Sequence, residues 1–448
     1  MTRVGINEKL GVWDTILYSI QHCLAMFIAN ALISIIVYSA TDNFVGYNLV
    51  PAALMSAGVG TIIYLLITRF RSPVFLGSSA ALISVMSSCL AMGGTMHGNF
   101  IAVIIGLAIV GLVYGILSLV IHFVGSEWIH KLLPPVVIGP VVAVIGLSLA
   151  GFATNWSMFN NGAAWNPWAL GVALFVMVGI AVLSHYVKGK LSTLPFLLGI
   201  LGGYVVAAGI TGIGYAANVD SMKLIDFSIF QNMQWMPQFS IQLAFDGATA
   251  NGFAWSQLPQ ILLIAVPVAF VAFCEHIGDH LNLSSVVERD LITDPGLSRT
   301  SLGDGVATAV GGLIGGMGNT TYGENVAVIG VTGVASVWPV LGAAILAILL
   351  GWCAPVMTWV QSIPYCVFGG AALILYGFIA ISGLRNLAKV DLTKSRNIII
   401  ASVILISGVG GLFIQIGTFQ FTGVALAMIL GLILNLILRE KKDNSIEA

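Results

Sequence analysis

Stretches of about twenty apolar residues follow one another along most of this chain, parted by short connectors that hold most of its charges. A stretch of that length crosses a bilayer as one helix. In lipid every backbone N–H and C=O must be paired inside the protein, so a chain of this pattern has few alternatives to a helical bundle. Composition excludes a soluble fold: 58% of the residues are hydrophobic and 8% charged, against about 25% charged in soluble domains. The net charge of −1 offers nucleic acid no basic surface. Cys23, Cys89, Cys274, Cys353 and Cys366 lie in apolar stretches without spaced pairs, which supports neither a disulfide framework nor a zinc site. No small-residue cleavage site precedes the first span, which is read as retained and not as a signal peptide.

The expected fold is an all-α polytopic membrane protein of about 14 spans. The candidates centre on 14–38, 47–68, 74–92, 101–123, 136–153, 168–187, 192–211, 257–283, 299–316, 322–336, 338–361, 364–383, 396–413 and 419–438. Spans nine and ten are short and Gly-rich. Lys and Arg concentrate in cytoplasmic loops and so test the parity of this count. With the N-terminus inside, Arg3, Lys9, Arg69, Arg71, Lys131, Lys188, Lys190, Arg289, Arg299, Arg385, Lys389, Lys394, Arg396, Arg439, Lys441 and Lys442 all fall inside. Of the 17 basic residues that leaves only Lys223 outside, in the long segment 212–255. Both termini are therefore expected on the cytoplasmic side of the cell membrane.

Fourteen spans divide into two sevens, and an odd number per half inverts the second half. Weak echoes support a 7+7 inverted repeat. Span five opens Leu133-Pro134-Pro135-Val136-Val137-Ile138-Gly139, and span twelve opens Ile363-Pro364-Tyr365-Cys366-Val367-Phe368-Gly369. Spans three (SPVFLGSSAALISVM, 72–86) and ten (GNTTYGENVAVIGVTG, 318–333) each carry a Pro or Gly and a hydroxyl pair ahead of a short apolar run. Interrupted segments at matching positions of two halves are the sequence pointer to a transporter binding site. An unwound stretch must face protein or a cavity, and the half-helix after it offers free N–H donors. The competing reading is that these glycines only permit close helix packing.

Away from the span edges, four acids lie inside candidate spans: Glu275 and Asp279 in span eight, Asp304 in span nine and Glu324 in span ten. An ionisable group at such depth is a functional-site hypothesis by default. Glu275 and Asp279 are four residues apart and share a helix face. Two carboxylates so placed resist double ionisation, which suits a carrier that loads and unloads a proton. His276 and His280 adjoin them, and His22 sits in span one behind Gln21. Asp279, Asp304 and the histidines also admit a purely structural, hydrogen-bonded role. Carboxylates and free backbone amides together fit a small planar ligand rich in N–H and C=O groups. An anion carrier would place Arg or Lys within its spans, and a metal carrier would cluster His or Cys. No catalytic fingerprint occurs in a fitting context, so no enzyme activity, resident metal or organic cofactor is expected.

These residues resemble the nucleobase–ascorbate transporter family, also called nucleobase:cation symporter-2, and most closely its bacterial uracil-carrying members. The resemblance spans nearly the whole chain through QHCLAMF (21–27), FLGSSAALIS (75–84), PPVVIGPVVAVIGLSLAG (134–151), CEHIG (274–278), RDLITDPGLSRTSLGDG (289–305), NTTYGEN (319–325) and LILYGFIAISGLR (373–385). It implies a core domain in two parts (1–133 and 256–362), a gate domain in two parts (134–255 and 363–448), movement of one against the other, and a homodimer. It implies a uracil:proton symporter, with xanthine or another purine as the alternative substrate and an anion carrier on a related scaffold as a remote one. Substrate would lie between Glu275 and Glu324, beside backbone at Tyr322, Gly323, Ser79 and Ala80, with Asp279 nearby and Tyr376 as gate-side wall. Glu275, Asp279 and His280 would serve proton coupling, and His22 and Asp304 would support or couple. The chain departs from the pattern in three places. Asp279 stands where uracil carriers have His, Ala80 where they often have Phe, and Ala327 and Val337 at signature positions that usually hold Gly and Arg. Glu324 in turn matches the uracil type, since purine carriers usually place Gln there.

Overall fold

A computed structural model describes residues 4–39, 49–92, 96–160, 164–188, 194–231, 233, 235–237, 239–242, 253–416, 419–421 and 423–438. Arg3, Lys190, Arg439, Lys441 and Lys442, which entered the charge map, lie outside these residues.

The first half runs α1 (Val12–Ser39), α2 (Leu49–Ile67), β1 (Leu76–Ser78), α3 (Ile83–Leu90), α4 (Met96–Val124), α5 (Glu127–Leu132), α6 (Pro135–Ser148), α7 (Ala150–Phe159), α8 (Pro167–Tyr186) and α9 (Pro195–Ala217). The second half runs α10 (Leu258–Val287), α11 (Leu297–Leu313), β2 (Asn319–Thr321), α12 (Gly323–Thr332), α13 (Val337–Gly351), α14 (Ala354–Ser362), α15 (Tyr365–Leu387), α16 (Ser395–Val409), β3 (Ile414–Ile416), β4 (Phe419–Phe421) and α17 (Gly423–Ile437). Among the described residues eight helical stretches are long and apolar enough to cross a membrane, with α6 and α7 counted as one. The pair α13 and α14, bent by 80°, makes a ninth if taken as a single span. The α16 and α17 helices are shorter apolar helices. Each of the fourteen sequence windows contains a helix, but those at 74–92 and 322–336 hold only the short α3 and α12 behind a strand. The Gly-rich window 299–316 is a continuous helix, α11.

Packing sorts the helices into two neighbourhoods. The α11 helix lies against α2 and α4, and α13 against α1 and α2. The α15 helix lies against α6, α7 and α8, and α16 against α6 and α17. The α10 helix touches both sets, packing on α4 and also on α6 and α17. Small residues permit the closest approaches, as expected where lipid gives no hydrophobic drive to helix association. A Cβ on Gly111 of α4 would stand 2.5 Å from the carbonyl oxygen of Gly305 on α11.

The two interrupted windows meet. Strands β1 and β2 pair antiparallel, with Leu76, Gly77 and Ser78 opposite Thr321, Thr320 and Asn319. Backbone bonds from Tyr322 N to Phe75 O (3.1 Å) and from Ser79 N to Gly318 O (2.8 Å) extend the ladder. So short a pair leaves outer edges that lipid cannot satisfy. Polar side chains from neighbouring helices do so instead. Thr61 Oγ1 of α2 accepts from Leu76 N at 2.9 Å, and Asn30 Oδ1 of α1 accepts from Ser78 N at 2.7 Å. Thr308 Oγ1 of α11 donates to Asn319 O at 2.8 Å.

The segment ahead of α1 braces the far end of α12. Val4 N donates to Gly333 O, Ala335 N to Val4 O and Val337 N to Ile6 O, at 3.0 to 3.1 Å. Ser336 Oγ adds a bond to Glu8 O.

Candidate functional site

The crossing of β1 and β2 opens onto a cavity of about 440 Å³. Glu275 and Asp279 of α10 line it, as do Ala80, Tyr322, Gly323, Glu324 and, from α15, Tyr376. Seven of the residues singled out from the sequence thus converge on one space. Ser79 reaches it through a hydrogen bond, its Oγ donating to Oε2 of Glu275 at 3.2 Å.

Local structure explains the convergence. Tyr322 is extended and precedes the first turn of α12, so Gly323 and Glu324 stand at a helix N-terminus, where backbone N–H groups have no intrahelical partner. Glu324 is an acid in that first turn, where the helix dipole favours negative charge. The Tyr322 ring fills the space above Gly77, where a Cβ would lie 2.5 Å from its Cζ. Its hydroxyl donates to Ser78 O at 3.1 Å and also stands 3.4 Å from Asn30 Oδ1. One asparagine of α1 therefore holds both interrupted segments. Asp279 accepts from Thr321 Oγ1 at 2.9 Å, which ties α10 to β2.

Three buried hydroxyls beside the cavity lack a partner. Ser78, Thr320 and Tyr376 line the cavity, and their oxygens have no partner among the described residues. Buried polar groups are normally paired, so such orphans at a cavity wall mark where a ligand or water would bond.

The remaining predicted residues lie elsewhere. His280 is fully buried and does not line the cavity. Its Nδ1 stands 2.9 Å from the carbonyl of His276, which can only accept, so Nδ1 carries the hydrogen and Tyr64 donates to Nε2 at 2.8 Å. Helix geometry accounts for this: five residues beyond Glu275 is about 140° around the helix, whereas Asp279, four residues on, is about 40° away. His276 faces the same way as His280. Its Nδ1 lies 2.8 Å from Asp304 Oδ2 and its Nε2 3.2 Å from Thr300 Oγ1, with His276 and Asp304 fully buried between α10 and α11. His22 bonds through Nδ1 and its carbonyl to the Asn325 amide, the residue beside Glu324. It supports α12 from behind and is not among the cavity residues. Sequence reading missed Asn30 and Thr61 as supports of the site. A lone Asn or Thr inside an apolar run was the only signal, and many such residues merely bond their own helix.

Comparison with known proteins agrees with this architecture. The family profile described as Permease family matches residues 14–417. A protein named uracil permease from Bacillus caldolyticus is 41% identical over 96% of this chain and 93% of its own length. One of the same name from Bacillus subtilis is 39% identical over 98% and 96%, and one from Escherichia coli K12 34% identical over 98% and 95%. These relatives are permeases and not enzymes. Among solved structures, the transmembrane domain of a cyanobacterial bicarbonate transporter, BicA, superposes with a TM-score of 0.61 at 14% identity, covering 96% of this chain and all of that one. Murine Solute Carrier 26 family member A9, an anion transporter in the inward-facing state, gives 0.63 at 10% identity over 96% and 69%. At such identities the likeness is one of fold: a polytopic helical membrane bundle.

Proposed function

The chain belongs to the nucleobase–ascorbate transporter family of permeases, and from that premise we propose that it imports uracil together with a proton. The single observation that carries the reading is the convergence of Glu275, Asp279 and Glu324 on one cavity beside a helix N-terminus. Carboxylates accept from the N–H groups of a pyrimidine, and the first-turn amides of α12 and the orphan hydroxyls donate to its carbonyl oxygens. The same carboxylates give a proton its place. Glu275 is the proposed coupling residue, with Asp279 beside it. His280, turned away and held by Tyr64, would act only through the helix it sits on.

In this reading α1–α4 and α10–α14 form the core, α5–α9 and α15–α17 the gate, each half inverted relative to the other, in a homodimer with both termini cytoplasmic. The core slides against the gate along α10, the helix that touches both neighbourhoods. The cavity extends from Glu275 along α10 and α15 toward Arg385, which fits an opening to the side where the basic residues gather. The deciding experiment is uptake of labelled uracil by reconstituted vesicles under an inward proton gradient. Gradient-driven accumulation that Glu275→Gln abolishes supports the reading; no accumulation of any nucleobase overturns it.

A second reading, transport of xanthine or a related purine, rests on Ala80. Its small side chain lines the cavity and leaves room for a second ring, and Asp279 adds an acceptor for a further N–H. The fold neighbours carry anions, but three carboxylates at this end of the cavity disfavour that substrate class.

A further inference from the structure

The cavity, at about 440 Å³, is larger than one single-ring base needs, and its second end is chemically distinct. Glu275, Asp279 and Asn282 recur at intervals of four and three along α10, so one stripe of that helix runs from the carboxylates outward. On α15, Phe378, Ser382 and Arg385 recur at intervals of four and three and so share one face, and with Tyr376 they line the same cavity. Along α10 exposure rises from buried Glu275 to half-buried Asn282, while on α15 Phe378 and Arg385 are exposed and Ser382 is half-buried.

This outer portion has an aromatic wall and a polar edge. Phe196 of α9 and Phe378 meet edge to face, with ring centroids 6.0 Å apart and planes at 84°, and both line the cavity. One turn along α15 from Phe378, the Asn282 amide donates to Ser382 Oγ at 3.3 Å, a bond between α10 and α15. That amide offers N–H and C=O side by side. Arg385 adds a planar fork of donors and forms no hydrogen bond or ion pair among the described residues. An aromatic face, an amide and a guanidinium make a receptor for a planar ring bearing amide edges, since every such ring has a face to stack and carbonyls to accept.

The geometry points to a second binding station for the nucleobase, formed by Phe196, Phe378, Asn282, Ser382 and Arg385, where the ring pauses between the carboxylate site and solvent. This deepens the proposed function and rests on it. A ring seated there competes for the Asn282 amide and so breaks the bond from Asn282 to Ser382, which couples its passage to the α10–α15 seam.

Equilibrium binding of labelled uracil to the purified full-length chain tests this. Two classes of site per chain are expected. Phe378→Ala and Arg385→Gln should each weaken the looser class by about tenfold or more, as loss of a stacking face or a charged donor does. Glu324→Ala should instead remove the tighter class. One site per chain, or a looser class that neither Phe378→Ala nor Arg385→Gln moves, overturns the second station while leaving the nucleobase reading intact. Absence of all binding overturns the nucleobase reading itself, and the station with it.

Discussion

Ser79 Oγ donates to Oε2 of Glu275 across 3.2 Å, joining the break after β1 to the acid of α10. The bond fixes which way the carboxylate points and leaves its other oxygen for a ligand. Hydrogen bonds to charged groups contribute about 1.5–3 kcal/mol. Ser79→Ala should therefore raise the uptake KM for the nucleobase by roughly tenfold or more. The fold should hold, because the backbone N–H of residue 79 still bonds Gly318 O. An unchanged KM in vesicle uptake would show that Ser79 does not orient Glu275.

Gly77→Ala places a methyl group against the Tyr322 ring. The ring must shift, and with it the start of α12 and Glu324. Overpacking of this kind costs about 1–3 kcal/mol. Uptake should fall strongly while the protein still reaches the membrane. Near-normal uptake at normal abundance would mean that the ring is free to move.

Substrate choice should follow Ala80 and Asp279. The pair Ala80→Phe and Asp279→His makes the pocket smaller and removes an acid, so competition by uracil should strengthen and competition by purines weaken. A competition panel of free bases reads this directly. If neither moves, selectivity is set elsewhere.

Breaking the buried pair of His276 and Asp304 should cost stability more than selectivity. Asp304→Ala leaves His276 Nδ1 without its partner at full burial, and leaving a buried polar group unpaired costs about 1–3 kcal/mol. Asp304→Asn keeps a group able to donate to Nδ1 and should cost less. Thermal unfolding in detergent ranks the two variants. Equal melting temperatures for both and the parent chain would remove Asp304 from the packing argument.

In the connector between α10 and α11, Arg289 and Arg71 both hydrogen-bond Asp294 and hold its carboxyl below the ordinary value of 3.8. A depressed value means stability that is fully present above 3.8 and lost as pH falls through the lower, folded value. The groups are half-exposed, so screening limits the contribution to about 0–1 kcal/mol. Asp294→Asn should lower the melting temperature slightly at neutral pH, and the difference should shrink in acid. A gap that widens in acid would contradict the assignment.

Much of this was legible in the sequence because each readable feature lived on a single element. The apolar runs marked the helices, and the four-residue step from Glu275 to Asp279 put both acids on one face. The breaks before Ala80 and Glu324 marked the two interrupted segments. What could not be read was what crosses between elements. Nothing in the composition of α1 says that Asn30 bonds Ser78, and nothing in α2 says that Thr61 completes an edge of β1. His280 seemed one of the acids' neighbours along the chain, yet the helix turns it toward Tyr64. Fourteen windows were read as spans, but two of them hold only a half-helix behind a strand, because buried backbone found partners across the fold.

The pairing of β1 with β2 also sets an order of events during biosynthesis. Residues 76–78 leave the ribosome long before 319–321 exist, and until those arrive the first strand has no backbone partner in the bilayer. The earlier segment must wait at the insertion machinery or in a wet, unfinished state. A ribosome stalled between the halves would leave a chain that has crossed the membrane repeatedly and yet owns no binding pocket.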